Sequence, residues 1–292
     1  MELKWTNRHN MTMLTDFYEF TMANGYLKSS MQDTEAVFDM FFRTVPENGG
    51  FAIMAGLEQL VDHLKSLEFD DADLDYLESL KVFDQDVWAV NEGLPIFPGE
   101  PILKVKGPIM QAQLIETMIL LVLNHQSLIS TKASRIVRAA GERTVMEFGA
   151  RRAQGVDAAV LGARAAYIGG VSGTSCTIAG EYFDIPVMGT MAHSWVQAFQ
   201  SEYESFVAYA EAFPDDAQLL VDTYNTLRSG VPNAIRVAKD VLEPLGKRLK
   251  SIRIDSGDLT YLSINARKML DEAGLHDCGI TVSNSVDEYR RR

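Results

Sequence analysis

Ser251-Ile-Arg-Ile-Asp-Ser-Gly-Asp258 decides the fold class of this 292-residue chain. Alternate residues of an extended segment point the same way, so Arg253 and Asp255 share one face while Ile252 and Ile254 share the other. The polar tail behind them, with Gly257 permitting a tight turn, marks a strand's carboxyl end. From residue 144 onward the pattern recurs, with candidate strands at 145–148, 166–168, 186–188, 219–221, 251–254 and 280–282. Their tails are Arg151-Arg152, the run from Gly169 to Ser175, His193-Ser194, Asp222-Thr223, Asp255 to Asp258, and Ser283-Asn284. Short apolar strands alternating with amphipathic helices predict a parallel sheet. Parallel strands deliver their carboxyl ends to one rim, where an α/β barrel keeps its chemistry.

The first half is patterned differently. Apolar side chains at helical intervals predict a helix over 14–27, with Thr12 or Thr15 as its cap. Aromatic and β-branched residues over 36–43 predict a strand, and the Pro-Glu-Asn-Gly-Gly cluster behind it a loop. Helical spacing returns over 51–67 and, in acidic form, over 70–81; short strands punctuated by Pro and Gly follow at 94–97 and 102–106. Residues 111–141 read as one long apolar helix, broken near 127–131. The expected organisation is an N-terminal α+β domain over 1–142, ending in this connecting helix, and a partial α/β barrel over 143–292 carrying the active site.

A formal net charge of -13 argues against nonspecific binding to nucleic acid or anionic membranes, both of which reward a basic surface. Any phosphate site must then be a local arginine cluster. Cys176 and Cys278 have no Cys or His neighbour at metal spacing and read as reduced, buried thiols. The first ten residues lack the apolar core of a signal peptide, and the longest apolar run is interrupted short of a membrane span, so a cytoplasmic protein is expected.

Within Ile185-Pro-Val-Met-Gly-Thr-Met-Ala-His193-Ser194 a histidine stands just beyond a strand end, where an imidazole can serve as acid, base or nucleophile near neutral pH. A core histidine satisfied by a carbonyl is the plain alternative. Arg151-Arg152 is either a solvated basic face or a guanidinium fork for carboxylate or phosphate. Asp255 and Asp258 suit a ribose diol or Mg²⁺, although one of the two could instead cap the following helix. Gly169 to Ser175 resembles an anion-binding turn that opens a helix but lacks a P-loop lysine. Asp222-Thr-Tyr taken alone reads as an ordinary strand end. No metal site follows from the other histidines.

Taken together, Thr15-Asp-Phe-Tyr18, Phe148-Gly-Ala-Arg-Arg152, Gly173-Thr-Ser175, Gly189-Thr-Met-Ala-His-Ser194, Asp222-Thr-Tyr-Asn225, Arg253 to Asp258 and Val282-Ser-Asn284 resemble the nicotinate phosphoribosyltransferase family, over residues 6–289. The resemblance implies a (β/α) barrel of the type II phosphoribosyltransferase kind. It implies an enzyme that joins nicotinate to phosphoribosyl pyrophosphate, releasing pyrophosphate, with coupled ATP hydrolysis and Mg²⁺, in NAD salvage. Under it His193 is the phosphorylated histidine, and Tyr18 stacks on the pyridine ring of a neighbouring subunit in a homodimer with shared active sites. Arg253 meets the nicotinate carboxylate and phosphate, with Arg151 acting from the opposite wall. Asp222, Asp255 and Asp258 handle ribose hydroxyls and metal, with no ligand set assigned, and Thr174, Ser175, Ser194, Ser256, Ser283 and Asn284 line the pocket.

A closed barrel of this kind needs about eight strands. Since the chain stops just after the sixth candidate strand, an incomplete barrel is expected, without the family's late glycine-rich phosphate cradle. The alternatives are an inactive truncated remnant that binds ligand or a partner subunit, or a relative that uses nicotinamide or quinolinate.

Overall fold

The computed structural model describes residue 11 and residues 14–67 and 85–289. The chain forms two compact units, Met1–Val187 and Met188–Arg292. The acidic helix expected over 70–81 lies outside the described residues.

In the first unit, helix α1 (Phe17–Lys28) is followed by β1 (Glu35–Met40). Asp16, not Thr15, occupies its N-cap, and no side chain caps it. Thr12 lies outside the described residues. The 51–67 segment, expected to be wholly helical, opens instead with the short strand β2 (Ala52–Ile53) before α2 (Leu57–Lys65). Then come β3 (Asp86–Ala89), β4 (Pro95–Ile96) and β5 (Leu103–Pro108). Strand β5 is central and antiparallel to both neighbours, with Phe38 opposite Val105 and Trp88 opposite Lys104.

The long helix breaks at Ile115, between α3 (Ile109–Leu114) and α4 (Glu116–Ala140), rather than at 127–131. The hydroxyl residues behind that expectation do something else. Ser127 Oγ accepts from Ala55 N at 3.1 Å and donates to Ala55 O at 3.2 Å, and Thr131 Oγ1 accepts from Ile53 N at 2.8 Å. They satisfy buried backbone groups beside β2 that would otherwise go unpaired. By length and composition Ile109–Ala140 could cross a membrane, but half of its apolar window is buried within the protein, as befits a core helix.

The first unit closes with α5 (Val156–Ile168) and α6 (Thr177–Phe183). Residues 166–168, expected as a strand, are the last turn of α5: Ala165 and Ala166 are buried and continue that helix's inner face. The strand-like element is Thr174, bridged in parallel to Glu147 on one side and Val187 on the other. The Gly169 to Ser175 run is therefore chiefly a strand crossing, and α6 begins only after it.

The second unit holds α7 (His193–Gln197), α8 (Glu202–Ala212), β6 (Gln218–Leu220), α9 (Val231–Val237), β7 (Ser251–Ile254), α10 (Leu259–Glu272) and β8 (Gly279–Val282). Its strands form a parallel sheet in the order β6-β7-β8, with Leu219 opposite Ile252 and Ile252 opposite Ile280. Leu219, Leu220, Ile252 and Ile254 are fully buried, as expected of a parallel sheet covered on both faces. Ser201 Oγ accepts from Glu204 N and caps α8, and Asn225 Oδ1 accepts from Arg228 N at 2.9 Å in the turn after β6. Gly230 lies so close to the Val221 carbonyl that any Cβ would collide with it, which draws the turn after β6 tightly under the strand end.

Candidate active site

Three loops of the second unit meet at the carboxyl ends of β6, β7 and β8. Arg253, on the last stretch of β7, is their hub. Its Nη2 lies 3.2 Å from Asp255 Oδ2, Nη1 donates to Thr190 Oγ1 at 2.6 Å and to Met191 O at 3.3 Å, and Nε donates to Ser283 Oγ at 3.2 Å. One side chain thus joins the loop before His193, the end of β7 and the end of β8. Its side chain is only 12% exposed, so the fork expected for a ligand is largely engaged within the protein.

Asp255 completes the cluster. The Ser283 hydroxyl donates to Oδ1, and His193 Nε2 lies 3.6 Å from Oδ2. Burial works against the ionised form, but the Ser283 hydroxyl, the Arg253 guanidinium and His193 together outweigh it and hold this carboxyl below the usual aspartate range. Beyond Ser283, Asn284 and Ser285 take left-handed backbone angles of 81° and 55° in φ, a sharp turn of exposed chain directly after the strand.

His193 is the first residue of α7 and half-buried. Its Nδ1 is 3.1 Å from Thr223 Oγ1. The Thr223 hydroxyl can accept from Nδ1–H or donate to Nδ1, according to the ring's tautomer, while Nε2 faces the Asp255 carboxylate. Trp195 Nε1 donates to Ser205 O at 3.1 Å and ties α7 to α8, which fixes the helix that carries the imidazole.

Asp222, expected to be catalytic, accepts from Asp255 N at 3.0 Å and from the Ser256 hydroxyl through Oδ2. It locks the β7 tail to the β6 tail, and its Oδ1 is buried without a hydrogen-bond partner among the described residues. Asp258 is the N-cap of α10, with Oδ1 accepting from Tyr261 N at 3.0 Å. Of the two carboxylates in this tail, Asp258 is thus the capping one. Ser194 and Ser256 are exposed.

The remaining expected residues belong to the first unit. Tyr18 is exposed on α1, and its hydroxyl donates to Glu116 Oε1 at 2.9 Å. That bond and burial beside Glu19 push its phenol well above the ordinary range. Arg151 is exposed in a single 3₁₀ turn, Ala150–Arg152. Ser175 is exposed in the bridged segment, whereas Thr174 is fully buried with its hydroxyl bonded to Glu147 and Cys176. The Thr174 hydroxyl is therefore engaged inside the first unit.

Sequence reasoning missed Thr190 and Thr223. Both lay inside quoted motifs, where a threonine beside a glycine or after a strand-end aspartate gave no signal of its own. His276 lies 3.2 Å from Asp271 on the surface. Among the described residues, no three His, Cys, Asp or Glu side chains gather into a metal cage.

Known proteins resemble this chain along most of its length. The model of the nicotinate phosphoribosyltransferase N-terminal domain matches residues 13–124, and that of the nicotinate phosphoribosyltransferase family matches residues 144–279. Nicotinate phosphoribosyltransferase of Bacillus subtilis is 45% identical over 295 residues, covering 96% of this chain and 59% of that protein. A Mycobacterium tuberculosis nicotinate phosphoribosyltransferase is 44% identical, with 97% of this chain and 63% of the relative covered. The chain thus spans about three-fifths of these relatives' length. The crystal structure of human nicotinic acid phosphoribosyltransferase superposes with a TM-score of 0.87 at 33% identity, over 95% of this chain and 69% of that one. A nicotinate-nucleotide pyrophosphorylase from Pyrococcus furiosus, at 24% identity and a TM-score of 0.81, shares the fold.

Proposed function

Because the chain belongs to the nicotinate phosphoribosyltransferase family, we propose that the whole protein forms nicotinate mononucleotide and pyrophosphate from nicotinate and phosphoribosyl pyrophosphate. The pyridine nitrogen attacks the anomeric carbon as its bond to the diphosphate oxygen breaks. The site must therefore stabilise an oxocarbenium-like carbon and a departing polyanion. The observation that carries this reading is the Arg253, Asp255, Ser283 and His193 cluster at the parallel strand ends of a chain with this family's sequence.

ATP hydrolysis is coupled to this reaction through His193. Nε2 attacks the γ-phosphorus, the bond to ADP breaks, and the phosphohistidine is later hydrolysed. Thr223 holds Nδ1, which orients the ring so that Nε2 is directed to the side of Asp255. Asp255, held ionised beside Nε2, stabilises the positive charge of the imidazole when the ring is protonated or phosphorylated. Arg151, exposed and without an ion pair among the described residues, takes an anionic group of the substrate, while Arg253 contributes positive potential from within its network.

Mg²⁺ fits a site with few protein ligands, since it arrives with substrate phosphates and retains several waters. Asp222, whose Oδ1 is unpartnered, would hold it, and the ion would neutralise the leaving diphosphate. We further propose a cytoplasmic homodimer, with Tyr18 of one subunit serving the site of the other; exposed Phe17, Phe41, Leu120 and Leu121 leave apolar surface on the first unit for such pairing.

Incubating the protein with nicotinate, phosphoribosyl pyrophosphate, ATP and Mg²⁺ tests the reading. Nicotinate mononucleotide should accumulate, and label from the γ-phosphate of ATP should enter the protein but not its His193→Ala variant. Absence of product from the wild-type protein sinks the assignment, and preference for nicotinamide or quinolinate in a competition assay reassigns the pyridine.

A further inference from the structure

Glu147 lies in neither the His193 cluster nor any motif tail, yet it joins two of the motifs in the first unit. Its backbone N donates to Gly173 O at 2.9 Å and its carbonyl accepts from Ser175 N at 3.0 Å, the parallel bridge to Thr174. Its side chain turns the other way along the chain. Oε1 accepts from Gly149 N, and Oε2 accepts from Thr174 Oγ1 at 2.6 Å. That hydroxyl in turn accepts from Cys176 N at 3.0 Å, and Thr174 N donates to Pro186 O at 3.0 Å. Gly149 immediately precedes the 3₁₀ turn that carries Arg151, and Arg152 N closes the turn on Gly149 O at 2.8 Å.

A single carboxylate thus fastens the start of an exposed turn to a fully buried threonine. Both of its oxygens are occupied by donors, so its charge is spent on geometry. The guanidinium of Arg151 carries no hydrogen bond or ion pair of its own among the described residues, so the backbone beneath it has to provide its placement. An arginine that receives a ligand carboxylate or phosphate works by the direction of its fork, and a loose turn would spread that direction.

We propose that Glu147 is the positioning residue for Arg151, acting through Gly149 N and Thr174, and that anionic substrate binding at Arg151 depends on this clamp. The proposal rests on the reading of Arg151 as an anion partner in the reaction above.

A double-mutant cycle tests it. Arg151→Ala identifies which substrate's KM depends on the arginine. Glu147→Ala should raise the same KM about tenfold while leaving kcat within about threefold. Glu147→Gln should stay within about threefold of wild type, because its amide can still accept from Gly149 N and donate to Thr174 Oγ1. The variant combining Glu147→Ala and Arg151→Ala should be no worse than Arg151→Ala alone. Additive losses, or an unchanged KM in Glu147→Ala, overturn the proposal. If Glu147→Ala does not fold, Thr174→Val removes the other end of the clamp and should move the same KM. Hydrogen exchange at Gly149 N–H gives a readout independent of turnover. Protection should persist in Glu147→Gln and fall about tenfold in Glu147→Ala. Should the wild-type protein make no product, the functional assignment fails and this exchange experiment alone decides the clamp, with unchanged protection overturning it.

Discussion

Two acidic residues, one in each unit, meet opposite fates. Glu19, on the first turn of α1, is 1% exposed. Burial first, and the neighbouring Glu116 charge after it, push its carboxyl up to about 7, with only the Tyr18 hydroxyl working the other way. Asp255 is also partly desolvated, yet it sits below the usual range because Ser283, Arg253 and His193 converge on it. Burial raises a carboxylate's pKa in both places; the partners decide whether the net shift goes up or down. One region stores a proton near neutrality, and the other holds a permanent charge beside an imidazole.

The comparison breaks most sharply if Asp255 is given the surroundings of Glu19. Arg253→Met strips the cation and leaves a half-buried aspartate, and it should cost about 3 kcal/mol in urea denaturation at pH 7. It should also lower turnover by more than about a hundredfold. Stability within about 1 kcal/mol of wild type would mean that the ion pair does not organise the rim.

The converse change is Glu19→Gln. A folded-state pKa raised from the usual 4.5 to about 7 means that the folded protein binds more protons than the unfolded chain across that interval. Stability therefore falls as pH rises through it. The variant should gain about 2 kcal/mol at pH 8 and nothing at pH 4, measured as denaturant midpoints across pH. A constant difference at both pH values would show that Glu19 does not titrate there.

The smallest effect should come from Ser283→Ala, which leaves Asp255 its cation and removes one hydroxyl, at a cost of about 1 kcal/mol. For a depressed carboxylate the sign is reversed: the stabilisation is present at neutral pH and is lost as pH falls below the ordinary aspartate value. Wild type should accordingly lose stability on acidification, and Ser283→Ala should lose less. Parallel acid limbs would remove Ser283 from the account of Asp255.

Much of the second unit was legible because its signals are local. Strand 251–254 was read with the bounds it has, and the alternation that pairs Arg253 with Asp255 follows from a period of two. The 166–168 misreading arose from an apolar run too short to separate a strand from a helix end. The true bridge at Thr174 lies between glycine and serine, with no β-branched run to announce it; only its neighbours Glu147 and Val187 make it strand-like. Likewise, nothing local distinguished Asp258, which caps α10, from Asp255, which meets arginine and histidine.

What the order of residues determined on its own was the α/β alternation, the chemical groups placed behind each strand and the family they resemble, since periodicity and motif spacing act over a few residues. The fold alone decided which carboxylate is paired, which hydroxyl is buried and which arginine is exposed. His193 meets Thr223, and Arg253 meets Thr190, only when segments distant in sequence are brought within hydrogen-bonding distance. Their energies depend on that approach and on the water it excludes, and neither is written in any one stretch of the chain.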